Sequence, residues 1–144
     1  MALGIIIWLG TFIRTRNLRL LIDKTTGGYI PMDLDPHLFT KYARYIVEHG
    51  TLLANDPTRF VPLGASTIKS AFMSYAIVYL YKILNFFDSS VTIEYASIIY
   101  PAYAFALAMV FFFLLVRRLF DWKVGLLATL FLATIPAFLY RTMA

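Results

Sequence analysis

The sequence predicts an all-α, polytopic membrane protein, and three observations carry that reading. Of the 144 residues, 60% are hydrophobic and only 15% are charged, too few charges to cover a soluble domain of this length. Mean hydropathy is +0.72. Tyr95 to Val116 is an uninterrupted run of 22 uncharged residues. As a helix that run is about 33 Å long, enough for the ~30 Å hydrocarbon core of a bilayer. The absence of cysteine excludes disulfides, haem attachment and thiolate metal sites. A net charge of +5 is ordinary where basic residues sit at the lipid boundaries. No nucleic-acid motif, internal repeat or low-complexity tract occurs.

The first element spans residues 1–22. Met1 to Ile13 is uncharged but only 13 residues long, about 20 Å of helix. A span continuing through Arg14 and Arg16, with both side chains snorkelling to the interface, makes up the length. Leu18 to Ile22 extends the apolar stripe, and Thr25-Thr26-Gly27-Gly28 breaks it. Ala65 to Phe87 is a second helical stretch, near 66–87. Its uncharged core, Ser70 to Tyr81, holds 12 residues between Lys69 and Lys82, a length that suits a membrane-surface or re-entrant helix better than a span. Asp88-Ser89-Ser90 ends it. The long apolar run then forms a transmembrane helix over 93–117, with Pro101 near one end where a kink costs least. Arg117, Arg118 and Lys123 make a short basic connection of the kind that stays cytoplasmic. Val124 to Tyr140, 17 uncharged residues, returns as a span over 123–140. Phe111-Phe112-Phe113 reads as packing or lipid-facing material.

Between the first two apolar stretches lies a different kind of sequence. Pro31 to Gly64 holds four of the eight acidic residues (Asp33, Asp35, Glu48, Asp56), both histidines and four of the six prolines. Pro36 suits the first position of a helix and disfavours the α region for the residue before it. Asp35 is therefore expected at the N-cap, accepting from free N–H groups of the first turn of a helix near 36–49. Leu38, Tyr42, Tyr45 and Ile46 share a face, with Phe39 beside it. Gly50 has the position of a C′ residue. Asn55-Asp56-Pro57 makes a turn, with Asp56 capping it or pairing with Arg59, and Arg59 to Gly64 is read as an extended exit. His37 and His49 match no zinc spacing, and Glu94 reads as a boundary charge.

Asp35-Pro36, Lys41, Arg44-Tyr45-Ile46, Gly50, Asp56, Arg59 and Pro62-Leu63-Gly64, in that order and spacing, resemble the first external loop of the catalytic subunit of oligosaccharyltransferase. That family includes the eukaryotic subunit and single-chain archaeal and bacterial enzymes. Ile135-Pro136 and Tyr140-Arg141-Thr142 are similar to the family's later Pro…Arg-Ser/Thr stretch. The resemblance covers most of these residues but only the N-terminal part of a family chain.

The resemblance implies a GT-C-type architecture with 23–92 as a large first external loop. It implies transfer of an oligosaccharide from a lipid-linked (dolichyl) phosphate or pyrophosphate donor to asparagine in Asn-X-Ser/Thr. It also implies a divalent cation, Mg²⁺ or Mn²⁺. By position Asp35 matches the family's first-loop metal ligand and catalytic carboxylate, with Asp33 a secondary candidate for the same ion. Lys41 stands at a usually basic position, and Arg141 matches an arginine that supports a second acidic motif. The expected partners are the lipid-linked donor, the acceptor polypeptide and membrane lipid. The expected location is a cell membrane, archaeal or bacterial, with the active face external, or the endoplasmic reticulum with that face lumenal. The second acidic motif, the later external-loop Glu, the Trp-Trp-Asp motif and the soluble C-terminal domain do not occur in these 144 residues. The reading is accordingly of an N-terminal fragment, inactive alone.

Charge counting alone would put Arg14, Arg16, Arg19 and Lys24 in the cytoplasm and Asp35 opposite Arg141. The resemblance puts Asp35 and Arg141 on the same face. Two other functions fit the composition: a related lipid-sugar transferase of the protein mannosyltransferase kind, and a small non-enzymatic membrane partner protein.

Overall fold

The computed structural model describes residues 1–31 and 34–142. Helix α1 (Ala2–Thr15) and a 3-10 turn (Leu18–Leu21) come first, then α2 (Leu34–His49). Two short strands, β1 (Asn55–Asp56) and β2 (Ala65–Ser66), precede α3 (Ile68–Phe87), α4 (Ile93–Leu119), α5 (Trp122–Thr134) and α6 (Pro136–Thr142). The fold is all-α apart from the strand pair, as the sequence predicts. Among the described residues, α3 and α4 are long and apolar enough to cross a membrane. The chain forms two compact units, Met1–Ile22 with Ile99–Ala144, and Asp23–Ile98.

In the first unit α4 presents Ala102, Phe105, Met109, Phe113 and Val116, all buried, at spacings of three and four. Helix α5 answers with small residues every fourth position, Gly125, Thr129 and Ala133. A Cβ on Gly125 would stand 3.1 Å from the Phe113 ring, so the glycine is what lets that ring close on α5. Gly10 of α1 does the same for Met109. Within the aromatic run the roles divide: Phe113 is buried and Phe111 is exposed.

Several expectations change here. The first span does not run to residue 22 as one helix. Arg14-Thr15-Arg16-Asn17 has no apolar face to pack, and Asn17 (φ −92°, ψ 0°) takes the turn-forming bridge region. Nor does 123–140 form one helix. Pro136 lacks an N–H and crowds the preceding turn, so Ile135 goes extended (φ −59°, ψ 122°) and α6 starts afresh. Finally, Arg14 does not snorkel. It is fully buried, donates to the carbonyls of Gly10 (2.9 Å) and Ala133 (3.0 Å), and lies 3.6 Å over the Phe105 ring. Ala133 is one residue from the C-terminus of α5, where carbonyls lose their helical partners and the dipole favours a cation. The connection between α4 and α5 is also tighter than a basic loop, because Arg117 and Arg118 remain in the last turn of α4. Asp121 caps α5 by accepting from the Val124 N–H at 2.8 Å.

The second unit is built on α2 and α3. Tyr42, Ala43 and Ile46 of α2 are buried with Ile77 and Val78 of α3 and with Ile93 and Ala96 in the first turn of α4. The buried Thr40 hydroxyl donates to Ser97 Oγ (2.8 Å), which donates to the Glu94 carbonyl (2.8 Å), fastening α2 to that turn. Gly50 ends α2 at φ 82°, the left-handed C′ conformation. Arg59 to Gly64 is not an extended exit. The Leu63 and Gly64 N–H groups both return to the Phe60 carbonyl (2.9 and 3.1 Å), so the segment turns back. That turn pairs β1 antiparallel with β2, Asn55 opposite Ser66 and Asp56 opposite Ala65.

Candidate functional site

Asp35 lies inside the first turn of α2, not at its N-cap, because the helix already begins at Leu34. Pro36 is then the third helical residue. It is tolerated there because the first four N–H groups have no helical acceptor to lose. The Asp35 side chain is exposed and, among the described residues, makes no hydrogen bond or ion pair. Asp33 and the side chain of Arg141, both named from the sequence, lie outside the described residues. Among the described residues no group of three or more His, Asp or Glu converges as a metal site.

Asp56 behaves in the opposite way. It is 2% exposed, and its carboxylate accepts four hydrogen bonds. Oδ2 accepts from Lys41 Nζ at 2.7 Å and from the Tyr42 hydroxyl at 3.0 Å. Oδ1 accepts from the Thr58 N–H at 2.9 Å and hydroxyl at 2.7 Å. The Lys41 bond, with the Thr58 and Tyr42 bonds behind it, outweighs the cost of burial and holds this carboxyl well below the ordinary carboxylate range. The turn-capping expectation for Asp56 is met by Thr58. The pairing with Arg59 is not, since the buried carboxylate faces α2, and Arg59 instead lies 5.6 Å from the Phe60 ring. Lys41, to which the sequence assigned no role, holds β1 against α2.

Glu94 is more than a boundary charge, because Arg44 of α2 pairs with it. Around these pairs opens a cavity of about 520 Å³, whose wall includes Tyr29, Thr40, Lys41, Arg44, Tyr45 and Glu94. His49 stacks on Tyr45 with centroids 4.0 Å apart and planes 9° from parallel, and Tyr29 leans on Tyr95. His37 and Glu48 also reach the cavity. Asp35 does not line it: His37, Lys41, Tyr45 and Glu48 follow the three-to-four spacing of one α2 face, and Asp35 is two residues off that stripe. The stripe itself is legible in sequence as a polar-aromatic helix face. Its partners Tyr29 and Glu94, far away along the chain, carry no local signal.

A family model described as "Oligosaccharyl transferase STT3, N-terminal" matches residues 7–144. No curated protein and no solved structure matches the chain.

Proposed function

The chain belongs to the STT3 family of oligosaccharyl transferases, and on that footing we propose that it is the N-terminal part of a membrane enzyme that N-glycosylates proteins. The donor is an oligosaccharide on a lipid (dolichyl) phosphate or pyrophosphate, and the acceptor is asparagine in Asn-X-Ser/Thr. The protein sits as a multi-pass protein in a cell membrane or the endoplasmic reticulum. Asp35 is the residue this chain brings to the chemistry. An amide nitrogen is a poor nucleophile because its lone pair is shared with the carbonyl. A fixed carboxylate that accepts a bond from the amide N–H helps present that nitrogen to the sugar carbon.

The observation that carries this reading is the contrast between carboxylates. Asp56 and Glu94 are occupied by Lys41 and Arg44, whereas Asp35 is exposed in the first turn of a 16-residue helix, where the dipole favours an anion. Mg²⁺ or Mn²⁺ enters the proposal through Asp35 alone. Such ions take about six oxygen ligands, and the described residues do not supply them, so no step of the reaction is assigned to the ion. Arg141 supports the acidic motif that follows it in the family.

The test uses the full-length protein, a labelled lipid-linked oligosaccharide and an Asn-X-Thr peptide. Asp35→Ala should lower transfer by about 100-fold or more while costing at most ~1 kcal/mol of stability. Wild-type transfer rates in that variant would remove Asp35 from the mechanism. A control peptide with Gln for Asn should be inert. Transfer to its Thr hydroxyl would indicate a mannosyltransferase-like enzyme instead.

A further inference from the structure

We infer that the cavity on α2 binds a neutral saccharide, the sugar portion of the donor, at a site separate from Asp35. The identity of that sugar as part of the donor rests on the transferase reading above. The existence of the site rests on its own chemistry. Its volume of about 520 Å³ lies within the range of small-molecule sites.

Charge decides the ligand class. Lys41 pairs with Asp56 and Arg44 with Glu94, and Glu48 adds a third carboxylate, so among the described residues the wall has no surplus cation for a phosphate. Both cations are already paired, yet their side chains stay 49% and 59% exposed while the partner carboxylates are 3% and 26% exposed. Each cation therefore has N–H groups left over, aimed by its ion pair. Lys41 uses one donor on Asp56 and one on Thr58 and has a third. The Arg44–Glu94 pair offers donors and an acceptor side by side, the arrangement that vicinal hydroxyls of a sugar satisfy. Tyr29 and Tyr45 supply aromatic surface for the apolar face of a pyranose ring. Both rings are held before any ligand arrives, Tyr45 by His49 and Tyr29 by Tyr95. Prealigned donors, acceptors and rings in a cleft without surplus positive charge suit a polyhydroxylated, uncharged ligand.

Saturation-transfer difference NMR on the full-length protein, in a detergent without a sugar headgroup, tests the site. The probes are glucose, N-acetylglucosamine and diacetylchitobiose, with inorganic phosphate as competitor. At least one sugar should show saturated ring protons, and phosphate should not displace it. Tyr45→Ala should weaken binding about fivefold, and Tyr45→Phe, which keeps the ring, should restore it. In transfer assays Tyr45→Ala should raise KM for the lipid-linked donor by a similar factor. Absence of saturation in a preparation that transfers glycan overturns the site and leaves the transferase reading standing. Saturation in a preparation that never transfers upholds the site and sinks that reading. Displacement by phosphate, or equal binding by Tyr45→Ala and wild type, overturns the assignment. An unchanged donor KM alongside weakened sugar binding overturns the link to the donor.

Discussion

Replacing Asp56 by asparagine keeps the shape of the side chain and removes its charge, and the structure says where the cost falls. Oδ1 can still accept from the Thr58 N–H and hydroxyl. The new amide nitrogen replaces Oδ2 and faces two donors, Lys41 Nζ at 2.7 Å and the Tyr42 hydroxyl at 3.0 Å. The Tyr42 hydroxyl can turn to accept. Lys41, about half exposed, swings into water. What is lost is one charge-assisted bond onto a buried carboxylate, about 2 kcal/mol after allowance for the exposed lysine. That corresponds to roughly 30-fold more frequent opening of the β1–β2 turn. Amide hydrogen exchange over residues 53–67 reads it directly. Lys41→Met should produce a similar increase, and the double variant should exceed either single one only slightly, because both remove the same bond. Additive effects, or an increase below about threefold, would refute the claim that this pair holds the hairpin.

Acid should reveal the same bond. The Asp56 carboxyl is lowered in the folded state from its ordinary value of 3.8, first by Lys41. The unfolded segment therefore takes its proton first. The stabilisation is fully present above that ordinary value and declines as pH falls toward the lowered folded value. In Asp56→Asn the protection of residues 53–67 should lose this contribution to its acid dependence. Arg14→Ala removes a fully buried guanidinium bonded to the Gly10 and Ala133 carbonyls and should cost about 2–4 kcal/mol through lost bonds and a cavity, read as a lowered Trp8 and Trp122 fluorescence transition in detergent. Arg14→Lys should not restore it, because an ammonium cannot reproduce a planar group lying on Phe105 while reaching two carbonyls. Gly64→Ala places a Cβ against the Asn55 side-chain amide at φ 76° and should cost about 1–2 kcal/mol, seen as faster exchange in the same hairpin.

Much of the architecture follows from composition and local rules. The apolar run around Met109 makes one long helix because no other structure satisfies its backbone in lipid. Gly50 stops α2 and Pro136 interrupts the last apolar stretch for steric reasons that act within a few residues. The Asp35-Pro36 motif marks the start of the surface helix, although the helix begins two residues earlier than a simple cap predicts. The order of Asp35, Lys41, Gly50 and Pro62-Leu63-Gly64 was enough to point to the family that residues 7–144 match.

What local rules cannot assign is a partner distant in sequence. Lys41 reads as a solvated helix charge, and only folding brings Asp56, 15 residues on, to within 2.7 Å of it. Arg44 and Glu94 are 50 residues apart and become a pair only when α2 packs beside the first turn of α4. Arg14 reads as a snorkelling residue at a helix end. Its burial follows from a carbonyl freed 119 residues later, at the end of α5. Composition and rules acting within a turn were enough for the membrane class, the long helix α4 and a helix start beside Asp35-Pro36, because those depend on hydrophobicity and on local contacts. Tertiary structure decided which charges are consumed and which remain open, because a charge is neutralised by whatever the fold brings within a few ångströms of it.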